Sequence, residues 1–282
     1  MVRIKNILCG GVALLGAIIV GATPHGAHAT TNLVQNGDFE QVGGSVTGPE
    51  QILGSSIATD WTVSAAPGSS YAFLFSTVTG KGPVSHGSLI GDTGNTFLSL
   101  YGPNGATSGS AADAALVSPT GGNFVGMDGA YQVSALSQSV SGLVVGGQYA
   151  LSFYMAGAQQ QGFTGTINCA GDGNPNLNNC TTDQWDVSLG SQTLDSTNVT
   201  TPGHGFSGWM EQTLIFTATA TTQTLSFLAQ GQLNGSQPPF ALLDGVSLTA
   251  VPEPTTLVLM LSALGGFGAI GLRRRKRAPE RG

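Results

Sequence analysis

Glycine is the residue that most constrains the fold of this chain, because it supplies 43 of the 282 residues, and proline supplies another 13. Each glycine in a helix interior costs about 1 kcal/mol relative to alanine, and proline costs about 3 kcal/mol. The glycines have no period of three, which excludes a collagen triple helix. Hydrophobic residues make up 40% of the chain, which is enough for a core. The composition therefore predicts a turn-rich, all-β protein.

Apolar and polar residues alternate in several segments between residues 30 and 250, as they do in half-buried strands. In the clearest segment, Tyr149, Leu151, Phe153 and Met155 share one face. Similar segments are centred on Trp185, Phe216, Phe227 and Leu242. We find no internal repeat, and about 220 residues suit one β-sandwich domain, residues 30–250. The stretch 64–122, rich in Gly, Ser and Ala, is interpreted as an insertion.

Charge is distributed very unevenly along the chain. Between residues 30 and 250 there are thirteen acidic residues and one basic residue, Lys81, so this span has a net charge of −12. A surface of that sign repels phosphate and excludes nucleic acid as a partner. It suits an exported protein and the binding of divalent cations.

The first 29 residues have the pattern of a secretory signal peptide. Arg3 and Lys5 form the basic region, residues 7–21 are apolar, and Ala27 and Ala29 form an A-x-A cleavage site. We expect signal peptidase to cleave after Ala29. An uncleaved membrane anchor is the alternative.

The C-terminal segment, residues 251–277, predicts a single transmembrane helix over residues 255–272. The motif Pro252-Glu253-Pro254 precedes an apolar run from residue 257 to residue 272, and a basic cluster follows it. The cluster consists of Arg273, Arg274, Arg275, Lys276 and Arg277. By the positive-inside rule this end lies in the cytoplasm, and the body lies on the other side of the membrane. Residues 278–282 form a short tail, and a plain tail anchor is the alternative.

The Pro-Glu-Pro triplet, the single helix and the terminal arginines, in this order, resemble the PEP-CTERM sorting signal of Gram-negative bacteria that produce exopolysaccharide. The resemblance implies processing by an exosortase, a membrane protease-transpeptidase. It predicts an inner-membrane intermediate and a final location at the cell surface or outside the cell.

The body resembles the galactose-binding-like jelly rolls of carbohydrate-binding modules and DUF642-type wall proteins. The resemblance rests on the opening from Asn32 to Glu40, on Asp60-Trp61, on residues 136–153 and on the ending from Leu242 to Leu248. It implies a jelly-roll β-sandwich. It also implies that Glu40 and Asp244 hold a structural calcium ion.

Asp244 is the most informative acidic residue, because it has the parity of Phe240, Leu242, Val246 and Leu248, which should face the core. A buried carboxylate is costly unless it is paired or bound to a metal. Oxygen ligands from Asp and Glu suit calcium. The alternative is that Asp244 caps backbone amides at the end of a strand.

Cys169 and Cys180 are the cysteines that remain after signal cleavage. An even number in an exported protein predicts a disulfide bond between them.

No catalytic motif stands out in the body, and we predict that the protein is not an enzyme. Three tryptophans and three tyrosines can stack on sugar rings, and exposed tyrosines on loops are the better candidates. The residues are Trp61, Trp185, Trp209, Tyr71, Tyr101 and Tyr131. The sequence thus predicts a surface or matrix protein that associates with extracellular polysaccharide. The alternatives are a structural biofilm protein without a ligand site and a secreted glycan hydrolase.

Overall fold

The computed structural model describes residues 31–43, 58–63, 70–76, 88–89, 100–102, 116–160, 180–203, 205–232 and 238–252. The predicted signal peptide and the predicted C-terminal helix lie outside these ranges. Every regular element within them is a β-strand, and none of the described residues forms a helix that could span a membrane. The strands are β1 Thr62–Val63, β2 Ala72–Ser76, β3 Ser88–Leu89, β4 Asn123–Asp128, β5 Ala135–Ser141, β6 Gln148–Gln159, β7 Thr181–Leu189, β8 Gln192–Asp195, β9 Val199–Thr201, β10 Met210–Thr217, β11 Thr222–Gln232 and β12 Pro239–Ala250.

The strands form two six-stranded antiparallel sheets. Sheet I has the order β1-β5-β11-β7-β8, with β9 paired to β7, and sheet II has the order β10-β6-β12-β4-β2-β3. From β4 to β7 consecutive strands alternate between the sheets, and β10, β11 and β12 do the same. The resulting orders, β4-β12-β6-β10 and β5-β11-β7-β8, are those of a jelly roll. The predicted all-β jelly-roll sandwich is confirmed.

The main core lies between the two sheets and follows the predicted alternation. Tyr149, Leu151, Phe153 and Met155 of β6 all point into it, and the polar partners between Gln148 and Tyr154 point out. On sheet I, Trp185, Val187 and Leu189 of β7 and Leu225, Phe227 and Ala229 of β11 face them. These side chains are fully or almost fully buried, so the alternation predicted their orientation correctly.

A second hydrophobic cluster covers the opposite face of sheet II. It contains Phe73, Phe75, Phe124, Ala156, Ala158, Phe240 and Leu242 from the strands, with Leu100 and Leu116 from the connections. Tyr71, Phe206 and Trp209 pack against it and remain partly exposed. Sheet II is therefore buried on both faces over much of its area.

The prediction that Phe240, Leu242, Val246 and Leu248 of β12 share one face is wrong. Phe240 and Leu242 contribute to the second cluster, whereas Val246 and Leu248 contribute to the main core. A β-bulge between Asp244 and Ser247 changes the parity within the strand. Gly245 makes the bulge possible, since it has φ of +60°. Asp244 therefore lies on the face of the second cluster and not in the main core.

Part of the stretch interpreted as an insertion belongs to the sandwich. β2 pairs with β4 from Ala72↔Met127 to Ser76↔Asn123, and Ala72 and Leu74 reach the main core. The interpretation of residues 70–76 as part of an insertion is wrong, because β2 is covered on both faces. Such a strand has consecutive apolar residues and no alternation.

The two ends of the sandwich differ in composition. We call one end the exit end, because β12 ends there at Ala250. The same end carries three turns: residues 142–147 between β5 and β6, residues 190–191 between β7 and β8, and residues 218–221 between β10 and β11. We call the other end the tyrosine end. It carries the β4–β5 turn, residues 129–134, and residues 202–203 and 205–209 before β10.

Candidate functional site

Asp244 lies at the bulge of β12 beneath the loop that precedes β4. Its Oδ2 accepts hydrogen bonds from the hydroxyls of Ser118 and Thr120, and its Oδ1 accepts one of 2.7 Å from the Gly245 amide. Burial raises the pKa of Asp244 to about 6, the three hydrogen bonds oppose that shift, and Glu40 adds to it. Asp244 is thus a fully buried carboxyl group with several donors.

Glu40 contacts the same loop from the N-terminal segment. Its Oε1 accepts a hydrogen bond of 2.5 Å from the Asn123 amide, and Asn123 Nδ2 donates to the Phe39 carbonyl at 3.1 Å. A Cβ atom at Gly122 would lie 1.9 Å from Glu40 Oε1 and would displace this carboxylate, and the φ of +69° at Gly122 also favours glycine. The loop 118–123 therefore contacts both predicted calcium ligands.

The arrangement provides the hard oxygen atoms that calcium prefers: two carboxylates and two hydroxyls around one loop. Within the described ranges there is no Lys, Arg or His side chain that could balance the two carboxylates. These residues fit a calcium ion. The hydrogen bonds from Ser118, Thr120 and Gly245 also fit the alternative of a capping carboxylate, so both hypotheses stay open.

A second buried acidic group was not predicted. Asp183 of β7 is completely buried, and its Oδ2 accepts a hydrogen bond of 2.7 Å from Thr201 of β9. Its Oδ1 is buried without a hydrogen-bond partner in the part of the chain that the structure describes. Burial raises the pKa of Asp183 to about 8; the hydrogen bond from Thr201 opposes this shift, and the charge of Asp128 adds to it. The signal that could have found it is parity, since Asp183 shares the alternation of Trp185, Val187 and Leu189.

Of the three tyrosines predicted as candidates, Tyr131 is exposed, and Tyr71 and Tyr101 are half-buried. Tyr131 is 55% exposed and lies edge-on against Tyr71, with ring centroids 5.6 Å apart at an interplanar angle of 78°. The Tyr71 hydroxyl donates to Gln160 Oε1 at 3.5 Å, and the Tyr101 amide donates to the Gln159 carbonyl at 2.8 Å. All three predicted tyrosines therefore lie near the end of β6.

Asp128 holds the turn that presents Tyr131. Its Oδ1 accepts hydrogen bonds from the amides of Ala130 at 2.8 Å and Tyr131 at 3.0 Å. Burial raises the pKa of Asp128 to about 6, and these two amides oppose the shift. Burial also raises the pKa of Tyr71, and Asp128 adds to that shift. The Tyr71 hydroxyl therefore stays protonated at physiological pH.

The tryptophans have other roles. Trp61 and Trp185 are fully buried in the main core, and their indole nitrogens donate to the carbonyls of Asn36 and Leu242. Trp209 is partly exposed and packs edge-on against Phe124 and Phe206. Trp61 and Trp185 are thus unavailable to a ligand.

Of the two cysteines in the predicted disulfide, one lies among the described residues. Cys180 is buried just before β7, whereas Cys169 lies outside the described residues. The Cys169–Cys180 bond stays a prediction.

The solved structures that are similar to this chain include several with carbohydrate-related titles. TmCBM61 in complex with β-1,4-galactotriose is 12% identical, with 79% of this chain and all of that chain covered and a TM-score of 0.36. A CBM4 structure is 14% identical, with 77% and 99% covered and a TM-score of 0.30. A putative sugar binding protein from Bacteroides thetaiotaomicron is 11% identical, with 78% and 100% covered and a TM-score of 0.31. No curated protein matches the sequence.

The sorting motif begins directly at the end of the fold. The last residue of β12 is Ala250, the Val251 amide donates to the Gln148 carbonyl at 2.8 Å, and Pro252 is the last described residue. Residues 250–276 match the family model of the PEP-CTERM protein-sorting motif. The predicted motif around Pro252, Glu253 and Pro254 is confirmed, and the chain carries a PEP-CTERM sorting signal.

Proposed function

We propose that this protein is exported, is processed at its PEP-CTERM signal by an exosortase, and associates with extracellular polysaccharide through its sandwich. In this proposal the sandwich binds sugar without catalysis, and Tyr131 and Tyr71 form the centre of the binding surface. The observation that carries the proposal is an exposed tyrosine ring that is held in place on a rigid turn. Such a ring binds a sugar face at a low cost in conformational entropy.

The surroundings of Tyr131 support a sugar ligand. The apolar C–H face of a pyranose packs on an aromatic ring, and nearby amides bind its hydroxyl groups. Gln160 lies within hydrogen-bond distance of the Tyr71 hydroxyl, and the carbonyl of Gln132 accepts a bond of 3.1 Å from the Tyr71 amide. The tyrosine end therefore offers one exposed ring, and Gln160 and Gln132 hold in place the Tyr71 ring that packs against it.

Charge favours a neutral polysaccharide. The described ranges contain nine acidic side chains and no basic one. An anionic polysaccharide would be repelled by this field unless divalent cations screened it. We therefore expect binding to neutral glycans and no binding to uronic-acid polymers in the presence of a chelator.

The test is affinity electrophoresis of the refolded body through gels that contain neutral polysaccharides, with Tyr131→Ala as the variant. A sugar ring that covers about 50 Å² of the tyrosine would contribute about 1.3 kcal/mol. Loss of the ring should therefore weaken binding about tenfold. Ile215→Ala is the control, since Ile215 is 44% exposed on β10 and lies away from the tyrosine end.

Other outcomes would favour the competing functions. A body that binds no neutral glycan, in the gels or on a glycan array, would point to a structural biofilm protein without a ligand site. Release of reducing sugar from a polysaccharide would instead establish a glycan hydrolase. Equal retardation of Tyr131→Ala and the unaltered body would remove the tyrosine from the binding surface.

A further inference from the structure

The most exposed pair of neighbouring apolar side chains in the described residues lies at the exit end. Val144 is 66% exposed and Val145 is 61% exposed, at the tip of the β5–β6 turn. Neither residue contributes to the cores or to the tyrosine surface. Two adjacent exposed valines on one turn form an apolar projection, and the proposed binding of sugar at the tyrosine end does not explain it.

The projection is rigidly built. The Gly147 amide donates to the Val144 carbonyl at 2.9 Å, and Gly146 has φ of +82°, which the turn requires. The Gly146 amide donates to the Ala218 carbonyl at 2.8 Å, and the Val144 amide donates to the Tyr149 hydroxyl at 2.8 Å. The exposure of the two valines is therefore a fixed feature of the fold.

The same end of the sandwich releases the chain toward the sorting segment. Val251 is hydrogen-bonded to Gln148, and at most about 11 Å of chain separates Gln148 from Val145. Only Pro252, Glu253 and Pro254 lie between Val251 and the predicted helix that starts at Thr255. Those four steps span at most about 14 Å. The headgroup layer on one side of a bilayer takes up about 5–8 Å of that distance.

The exit end also carries no charge in the part of the chain that the structure describes. The three turns, residues 142–147, 190–191 and 218–221, and the exit residues 251–252 contain no acidic or basic residue. All nine described carboxylates lie elsewhere, in a body whose charge would otherwise oppose an anionic lipid surface. Apolar exposure, uncharged described turns and a short tether, in which Glu253 is the one charged residue, therefore coincide at one end.

We propose that Val144 and Val145 insert into the outer surface of the membrane while the sorting helix is still in place, so that the sandwich docks on its exit end. This inference rests on the proposed sorting function. It orients the sandwich with the tyrosine end away from the membrane. The docked body holds the Pro-Glu-Pro motif at the membrane surface, where a membrane protease can reach it.

The experiment uses the full chain in vesicles of phosphatidylethanolamine and phosphatidylglycerol, with bromine on the acyl chains as a quencher of tryptophan. Val145→Trp should show a blue shift and a loss of emission in brominated vesicles relative to unbrominated ones. Val133→Trp is the matched control, because Val133 is 40% exposed in the β4–β5 turn at the tyrosine end. The unaltered chain gives the background of the three native tryptophans.

The outcomes separate this inference from the proposed function. Equal emission of Val145→Trp in the two kinds of vesicle, or equal quenching at residues 133 and 145, would overturn docking while sorting stands. A full chain that does not float with vesicles would overturn the membrane intermediate and docking together. If Val145→Trp is not quenched but the exosortase cleaves Val144→Ser/Val145→Ser more slowly, the two valines contact a protein and not lipid, and docking on the membrane is overturned. Polysaccharide binding should be unchanged in Val144→Ser/Val145→Ser, whatever the membrane result.

Discussion

Asp183 is a carboxylic acid that both sheets bury, with Thr201 as its hydrogen-bond donor and Asp128 as a nearby acidic group. Its pKa is about 8 in the folded chain and about 3.9 in an unfolded chain. The folded state therefore binds more protons between these values, and the free energy of unfolding falls as pH rises from about 4 to about 8. Each pH unit in this window lowers it by at most about 1.4 kcal/mol.

We predict that Asp183→Asn is more resistant to unfolding than the unaltered protein at pH 9, and that the two are similar at pH 5. An amide cannot ionise and keeps an acceptor for Thr201, so the variant loses this pH dependence. Urea unfolding at pH 5, 7 and 9 measures the effect. Asp128 and Asp244, each with a pKa of about 6, still make the free energy of unfolding of the variant fall with pH below pH 6, and the variant should be flat above it.

Asp60→Asn is the control for this experiment, because Asp60 is exposed. If the stability of Asp183→Asn and that of the unaltered protein fall in parallel from pH 5 to pH 9, the carboxyl of Asp183 does not carry the pH dependence.

At the scale of elements, three segments meet at the bulge of β12: the N-terminal segment, the loop 118–123 and the bulge itself. The Val246 amide donates to the Gly37 carbonyl at 2.8 Å, so the first segment is bonded to the bulge next to Asp244. Glu40 and Asp244 therefore come from opposite ends of the chain and share a loop. A cation there would join all three segments in the folded state alone.

We propose calcium as that cation and predict that it raises the melting temperature of the unaltered protein. A ligand that binds only the folded state adds about 2.7 kcal/mol at a hundredfold excess over its Kd. Asp244→Ala should abolish the difference between chelator and millimolar calcium. Asp38→Asn is the control, since Asp38 is an exposed acid in the same N-terminal segment.

Two results would count against calcium. If Asp244→Ala lowers the melting temperature equally with and without calcium, Asp244 is a capping group for Ser118, Thr120 and Gly245. If the melting temperature of the unaltered protein is the same in chelator and in calcium, no stabilising metal binds.

At the scale of the whole molecule, the sandwich separates two chemically different ends. Tyrosines occupy one end, and an uncharged apolar turn and residues 250–252, which lead into the sorting motif, occupy the other. β12 connects the two ends in one strand, from Pro239 to Ala250. The proposed sugar surface and the proposed membrane surface therefore do not compete for space.

We predict that the mature protein ends near Pro254 when it is made in a host that contains an exosortase. Cleavage there removes the apolar run and the basic cluster and leaves β12 intact, because β12 ends at Ala250 and the bond from Val251 to Gln148 also precedes the motif. Mass spectrometry of the mature C-terminus measures the outcome. A mature protein that retains Arg273–Arg277 would contradict it, and Glu253→Ala would show whether the motif is required.

Much of this organisation could be predicted from the sequence because it depends on local patterns. Alternation predicted the faces of β6, β7 and β11, and the order of Pro252, the apolar run and the arginines predicted the sorting signal. Strands β2 and β4 were not predicted because the sheet is covered on both sides there, and alternation disappears. The parity of Asp244 was wrong because a bulge at one glycine reverses it.

The sequence by itself determined the all-β class, the acidic charge, the jelly-roll resemblance and the sorting signal, since composition and contiguous motifs carry them. Only the tertiary structure decided which distant residues meet. It brought Glu40 and Asp244 into contact with the loop 118–123 and buried Asp183 between strands. It also packed Tyr71 against Tyr131 and placed the turn that carries Val145 near the end of β12. The physical reason is that sheet pairing joins residues far apart in sequence, and a single bulge or turn sets which way each side chain points.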